Sequence, residues 1–95
     1  MGDTLRVVNR PAELAYRLYA GEREAGELRY GMQGGRLVLY HTEVDRSLGR
    51  SGLGSALVRG ALDDVRRRGL EIVPQCPFVR RWLERHPEYA DLVAA

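Results

Sequence analysis

His41-Thr42-Glu43-Val44-Asp45-Arg46-Ser47-Leu48-Gly49-Arg50-Ser51-Gly52-Leu53-Gly54-Ser55-Ala56-Leu57 is the stretch on which the reading of this chain turns. Its first four residues end a strand-like run that begins at Arg36. Three glycines then punctuate a loop. From Ser51 to Arg68 the apolar residues Leu53, Leu57, Val58, Ala61, Leu62 and Val65 recur at a helical period. The first turn of such a helix carries backbone N–H groups with no partner inside the helix, at the positive end of its dipole. Glycines admit another backbone or a phosphate to close range. Strand, glycine loop and helix N-terminus together predict an anion site suited to phosphate or pyrophosphate.

Upstream, Leu5 to Val8 reads as a short strand. Glu13 to Ala20 alternates Leu14, Tyr16 and Leu18 against Arg17 and Tyr19, as a half-buried strand does. Glu24 to Met32 is the next strand, broken by Gly26, and Gln33-Gly34-Gly35 is a hairpin turn. Arg36 to Val44 is the clearest strand, apolar on both faces through Leu37, Val38 and Leu39. Downstream, Gly69 is a natural helix stop, and Leu70 to Val73 is a short buried strand. Pro77 suits the first turn of a second helix, in which Phe78, Val79, Trp82 and Leu83 face the core. His86-Pro87 ends it, and Glu88 to Val93 adds one more turn.

The fold class is therefore α+β (α/β mixed). An antiparallel meander is followed by strand–helix–strand–helix with one parallel strand pair, 36–44 and 70–73, joined by a right-handed crossover. The carboxyl ends of that pair lie side by side next to the crossover helix N-terminus, where open α/β sheets bind ligands. Pro74 has no N–H and Pro77 soon follows, so the second strand cannot extend its ladder and the pair can part.

Ninety-five residues predict one domain, 1–95, burying only about 60–65% of its unfolded surface. No apolar run approaches the roughly 20 residues of a membrane span, and Met1 to Arg6 does not read as a signal peptide. The single cysteine fits a reducing, cytoplasmic setting. A formal charge of +2 gives no case for nucleic acid. All 15 basic residues are arginine, so no lysine side chain is available for self-modification. Arg66-Arg67-Arg68 reads as a solvated face favoured by the helix C-terminal dipole.

Two phosphate motifs fail. A P-loop ends in Gly-Lys-Ser/Thr, and there is no lysine. A dinucleotide fingerprint needs a third glycine or alanine that Ser55, Ala56 and Leu57 do not place, and several βαβ units where there is room for one. Gly49-Arg50-Ser51-Gly52-Leu53-Gly54 instead resembles the acyl-CoA loop of the GNAT superfamily of N-acyltransferases, usually written Gln/Arg-x-x-Gly-x-Gly/Ala. Gly52 and Gly54 fill the glycine positions. Gly49 stands where Gln or Arg is usual, and Arg50 is one place late. His41-Thr42-Glu43-Val44 before the loop and Pro74-Gln75-Cys76-Pro77-Phe78-Val79 after the next strand resemble the short, single-domain YjdJ-type branch. The resemblance runs from Ala15 to Val93 and is strongest between His41 and Val79.

The resemblance implies an N-acetyltransferase of GNAT-like fold that uses acetyl-CoA (coenzyme A) as cosubstrate and no metal. Its acceptor would be an amine, on a peptide or a small molecule, with no nucleic-acid or membrane partner. It implies donor binding at Val44 and through the backbone of Arg50, Ser51, Gly52, Leu53, Gly54 and Ser55, with side-chain contacts from Arg50 and Ser51. The pantetheine arm would enter between the parted strands. The family's usual further C-terminal strands have no counterpart in these 95 residues, which implies an open acceptor site or one completed by a partner subunit. A monomer and a homodimer both fit.

Three side chains are candidates for proton transfer. His41 and Glu43, two apart on a strand, share a face, and either is a base or a hydrogen-bonded structural group. Cys76, at a helix N-terminus and expected to emerge beside His41 and Glu43 from the neighbouring parallel strand, suits a reactive thiolate. Acid to the departing thiolate, covalent acyl relay and simple packing all stay open for it. Many members of the superfamily use a tyrosine acid in the last helix. Residues 77–85 hold none, and Tyr89 lies beyond. A non-catalytic CoA-binding module and a purely structural interaction domain are the rival functions.

Overall fold

The computed structural model describes residues 4–95. Five strands form one sheet in the order of the chain: β1 (Leu5–Arg10), β2 (Ala15–Ala20), β3 (Arg23–Gln33), β4 (Arg36–Val44) and β5 (Glu71–Pro74). The first four are antiparallel, and β4 with β5 is the parallel pair. Helix α1 (Leu53–Arg67) makes the crossover between them, and α2 (Pro77–Arg85) follows β5. No helix among the described residues is long and apolar enough to cross a membrane.

The alternation along each strand decides which face is covered. Tyr16, Leu18, Leu28, Leu37 and Leu39 are fully buried, and they meet Leu57, Val58, Leu62 and Val65 of α1 and Val79 of α2. The other face of the sheet carries Arg17, Glu27 and Arg29, linked in ion pairs. Gly69, at φ +67°, ends α1 as expected.

Three local readings change. β2 starts at Ala15 and not Glu13, because Pro11–Glu13 forms a 3₁₀ turn and Leu14 takes a left-handed φ of 54°. β3 runs through Gly26; the irregularity is a bulge that leaves Ala25 without a partner on β2. Phe78 does not face the core: it is 36% exposed, while Val79 and Trp82 of the same helix are buried. Arg66, Arg67 and Arg68 are solvated, as the sequence predicts, and all paired. Arg66 holds Asp91 at 2.9 Å and the Glu88 carbonyl, and the other two hold Asp64. Arg66 thus fastens the C-terminal 3₁₀ turn, Pro87–Leu92, to α1. Val93 then bridges to Ile72, so the chain end lies along the outer edge of β5.

Candidate active site

β4 changes partners half-way along. Its pairing with β5 runs from Arg36↔Glu71 to Leu39↔Pro74. There the carbonyl of Leu39 accepts from both Gln75 N–H and Cys76 N–H, each at 2.9 Å. Pro74 cannot donate, and α2 begins at Pro77, so β5 turns away. Arg80 holds the departing backbone through the carbonyl of Gln75 at 2.9 Å. From Tyr40 to Val44 the strand keeps β3 on one side, and no strand among the described residues pairs with the other.

A bulge at the same point changes which side chains face which way. Arg29 pairs with His41 and Tyr30 pairs with Leu39, which leaves Tyr40 as an extra residue in β4. Uninterrupted alternation from Leu37 and Leu39 would carry His41 and Glu43 into the core. The bulge instead turns Thr42 toward the helices, in register with buried Leu28, and Val44 likewise. His41 and Glu43 fall on the open face opposite Arg29 and Glu27, with side chains 50% and 71% exposed.

The proton-transfer candidates are thus sorted into two pairs. His41 Nε2 lies 3.4 Å from Glu43 Oε1 on the open face. Cys76 Sγ lies 3.4 Å from Thr42 Oγ1 on the helix side, and Cys76 is buried. The expected neighbourhood of Cys76 with His41 and Glu43 is corrected: its polar contact is Thr42, because the bulge interchanges the faces. Sequence reasoning missed Thr42, although one signal was present. Two ionisable residues at nominally inward positions ask for a bulge, since burying them unpaired is costly. An open cleft of about 930 Å³ runs around this free edge. Thr42, Gly54 and Phe78 line it on one side, and His41, Glu43 and Glu27 on the other.

The loop leads into α1 without a side-chain cap. Asp45 accepts from Ser47 N–H at 2.9 Å and from the Ser47 hydroxyl at 2.6 Å, which folds 46–48 into a 3₁₀ turn. The hydroxyl first and the amide second hold the Asp45 carboxyl below its ordinary value. Gly52 is the N-cap of α1 at φ +80°, a conformation open to glycine, and as a glycine it brings no side chain to cap the first turn. The first intrahelical bond is Ala56 N–H to the Gly52 carbonyl, 3.0 Å. The N–H groups of Leu53, Gly54 and Ser55 therefore head the helix where α1 meets the cleft.

The two glycines are glycine for different reasons. A Cβ on Gly52 would meet nothing within 4 Å, and its demand is conformational. Gly54 is helical, and a Cβ there would lie 2.6 Å from Cζ of Phe78. The Ser55 hydroxyl accepts from the Trp82 indole N–H at 2.8 Å and ties α1 to α2. Tyr89 is not a substitute for a tyrosine acid in the last helix. Its hydroxyl donates to Asp63 at 2.7 Å, and the ring is buried against Trp82.

Comparison with known proteins agrees with this architecture. Residues 15–92 match the family model described as GCN5-related N-acetyl-transferase. The solution structure of a GCN5-like protein from Staphylococcus aureus superposes with a TM-score of 0.70, at 23% identity, over 95% of this chain and 88% of that one. That similarity is one of fold. No curated protein sequence matches the chain. With a family match that runs from β2 through the glycine loop and the parted strands to both helices, the chain belongs to the GCN5-related N-acetyltransferase family, and it is an acyltransferase.

Proposed function

We propose that the chain transfers an acetyl group from acetyl-CoA to the nitrogen of an amine, on a peptide or a small molecule, as a single-domain enzyme of the short YjdJ-type branch working in the cytoplasm. The observation that carries the donor assignment is the parting of β4 and β5 at the Leu39 carbonyl, beside the uncapped first turn of α1. A free strand edge offers N–H and C=O groups to the amides of a pantetheine arm. The α1 amides offer donors to a pyrophosphate at the positive end of a helix dipole. Val44, at the end of that edge, and residues 50–55 are the donor-binding set. The residues present fit this substrate.

Bound acetyl-CoA would supply an activated thioester carbonyl. The chain's part is to orient it and to manage two protons. As the acceptor nitrogen forms its bond to the carbonyl carbon, His41, in contact with Glu43, takes the nitrogen's proton. As the carbon–sulfur bond breaks, the Cys76 thiol, held by Thr42, gives its proton to the departing thiolate and regains one from water. The two pairs stand on the two sides of the β4 edge, so acceptor and donor approach the same strand from opposite faces.

The test is release of free CoA from acetyl-CoA with a panel of peptides, polyamines and small amines. Turnover is expected with at least one class. His41→Ala and Cys76→Ala should each lower it by about 10²–10⁴-fold with little change in CoA affinity. Near-normal turnover in both variants would leave orientation alone as the source of catalysis. CoA binding without turnover on any amine would favour the non-catalytic module.

A further inference from the structure

We propose that the ring of Phe78 is the helix-side wall of the donor slot, packing along the pantetheine arm, and that Gly54 lacks a side chain in order to seat that ring. The inference rests on the donor reading above and adds a residue that reading does not use.

Three observations lead to it. Phe78 is the second residue of α2 and is 36% exposed, whereas Val79 and Trp82 of that helix are buried. The exposure is toward the cleft, whose lining includes both Phe78 and Gly54. The ring tip rests against Gly54 so closely that a Cβ would lie 2.6 Å from Cζ and 3.1 Å from Cε2. Glycine inside a helix costs roughly 0.5–1 kcal/mol relative to alanine. Gly54 has no left-handed φ to justify that cost. The space its missing side chain leaves is filled by Phe78.

The placement selects the occupant. One end of the cleft is the first turn of α1, which suits phosphate, and its floor is the unpaired β4 edge, which suits amides. A ring standing between them faces whatever links a phosphate group to the strand edge. A chain of methylenes and amides fits that position, with its methylenes on the ring. A nucleotide without such a chain would reach the α1 amides and not the ring.

A four-protein cycle tests this: the parent, Gly54→Ala, Phe78→Ala and the double variant. CoA and ADP affinities are read by calorimetry, and folding by thermal midpoint. Phe78→Ala should weaken CoA roughly three- to tenfold, as expected for losing one face of an aromatic contact, and leave ADP unchanged. Gly54→Ala should weaken CoA at least as much by pushing the ring into the slot, yet have no further effect once Phe78 is alanine. In the ligand-free protein, Gly54→Ala should lower the midpoint in the parent and raise it in the Phe78→Ala background. Losses that multiply would overturn the pairing, because Gly54 would then serve the phosphate directly. CoA affinity that is unchanged or tighter in Phe78→Ala would overturn the wall. A parent that binds neither CoA nor ADP would overturn the donor reading itself, and with it the wall; the midpoint cycle would still show whether Gly54 seats Phe78.

Discussion

The two halves of β4 share a strand and differ in almost everything else. From Arg36 to Leu39 the backbone is paired on both sides, and Leu37 and Leu39 are fully buried. From Tyr40 to Val44 it is paired only with β3, and polar side chains alternate across it. The change falls on two adjacent residues. The Leu39 carbonyl ends the pairing with β5, and Tyr40 is the bulge that reverses the faces. The first half is scaffold: it fixes α1 and α2 through burial. The second is the candidate site: its free edge and two polar pairs are positioned by that scaffold. A strand can serve both purposes because a bulge disconnects the side-chain pattern of one half from that of the other.

The severest way to break this division is to delete Tyr40. Restored alternation would drive His41 and Glu43 against Leu57 and Leu62 and turn Thr42 and Val44 outward. Burying two such groups without new partners costs several kcal/mol, against a total stability of about 5–15 kcal/mol for a domain. The expected result is loss of the cooperative unfolding transition, followed by circular dichroism in denaturant. A deletion variant that folds with parental stability would show that the bulge does not partition the faces.

The next effect confines itself to the site. Gly52→Asp introduces a carboxylate where the α1 amides have no cap. Asp tolerates the left-handed region better than most residues, so the strain at φ +80° should lower stability only modestly. CoA affinity should fall roughly 100-fold through repulsion between the new carboxylate and the pyrophosphate. The split between thermal midpoint and calorimetric affinity is the readout. Equal affinity in a folded variant would remove the loop from the donor site.

How much of this was legible from the sequence follows the same division. Helix α1, its stop at Gly69, the bounds of β4 and the parallel pair were readable, because burial imposes a period and turn residues mark its ends. The parting of the strands was readable from Pro74 and Pro77, which remove donors by covalent structure. The bulge was not read, since no local residue preference marks Tyr40, and its position depends on the register with β3. Thr42 was therefore overlooked, and Cys76 was placed beside the wrong residues of β4. Phe78 was assigned to the core because it is large and apolar. The contact that keeps it outside is with Gly54, 24 positions earlier, and it becomes visible only when α1 and α2 are brought together.

The smallest effect sharpens the comparison by loosening the scaffold alone. Tyr16, Leu28 and Thr42 form one row across β2, β3 and β4, and Tyr16 anchors that row to α1 by donating to Asp64 at 2.7 Å. Burial first, and the Asp64 carboxylate second, push the Tyr16 phenol well above its ordinary value. A group whose pKa is raised on folding contributes stability that is complete below its unfolded pKa, about 10 for tyrosine, and that is lost as pH rises beyond it. The chain should therefore weaken above about pH 10, with Tyr30 and Tyr89, also raised, adding to the slope. Tyr16→Phe removes one hydrogen bond to a carboxylate that keeps Arg67 and Arg68. Its cost near neutral pH should be about 1–2 kcal/mol. Denaturant midpoints from pH 8 to 11 should fall less steeply in the variant than in the parent, while CoA affinity at pH 8 stays within about twofold, because the free edge and the α1 first turn are untouched. An unaltered alkaline slope would mean that Tyr16 is not the group holding the sheet to α1 there. A large loss of CoA affinity would mean that scaffold and site are more tightly joined than the two halves of β4 suggest.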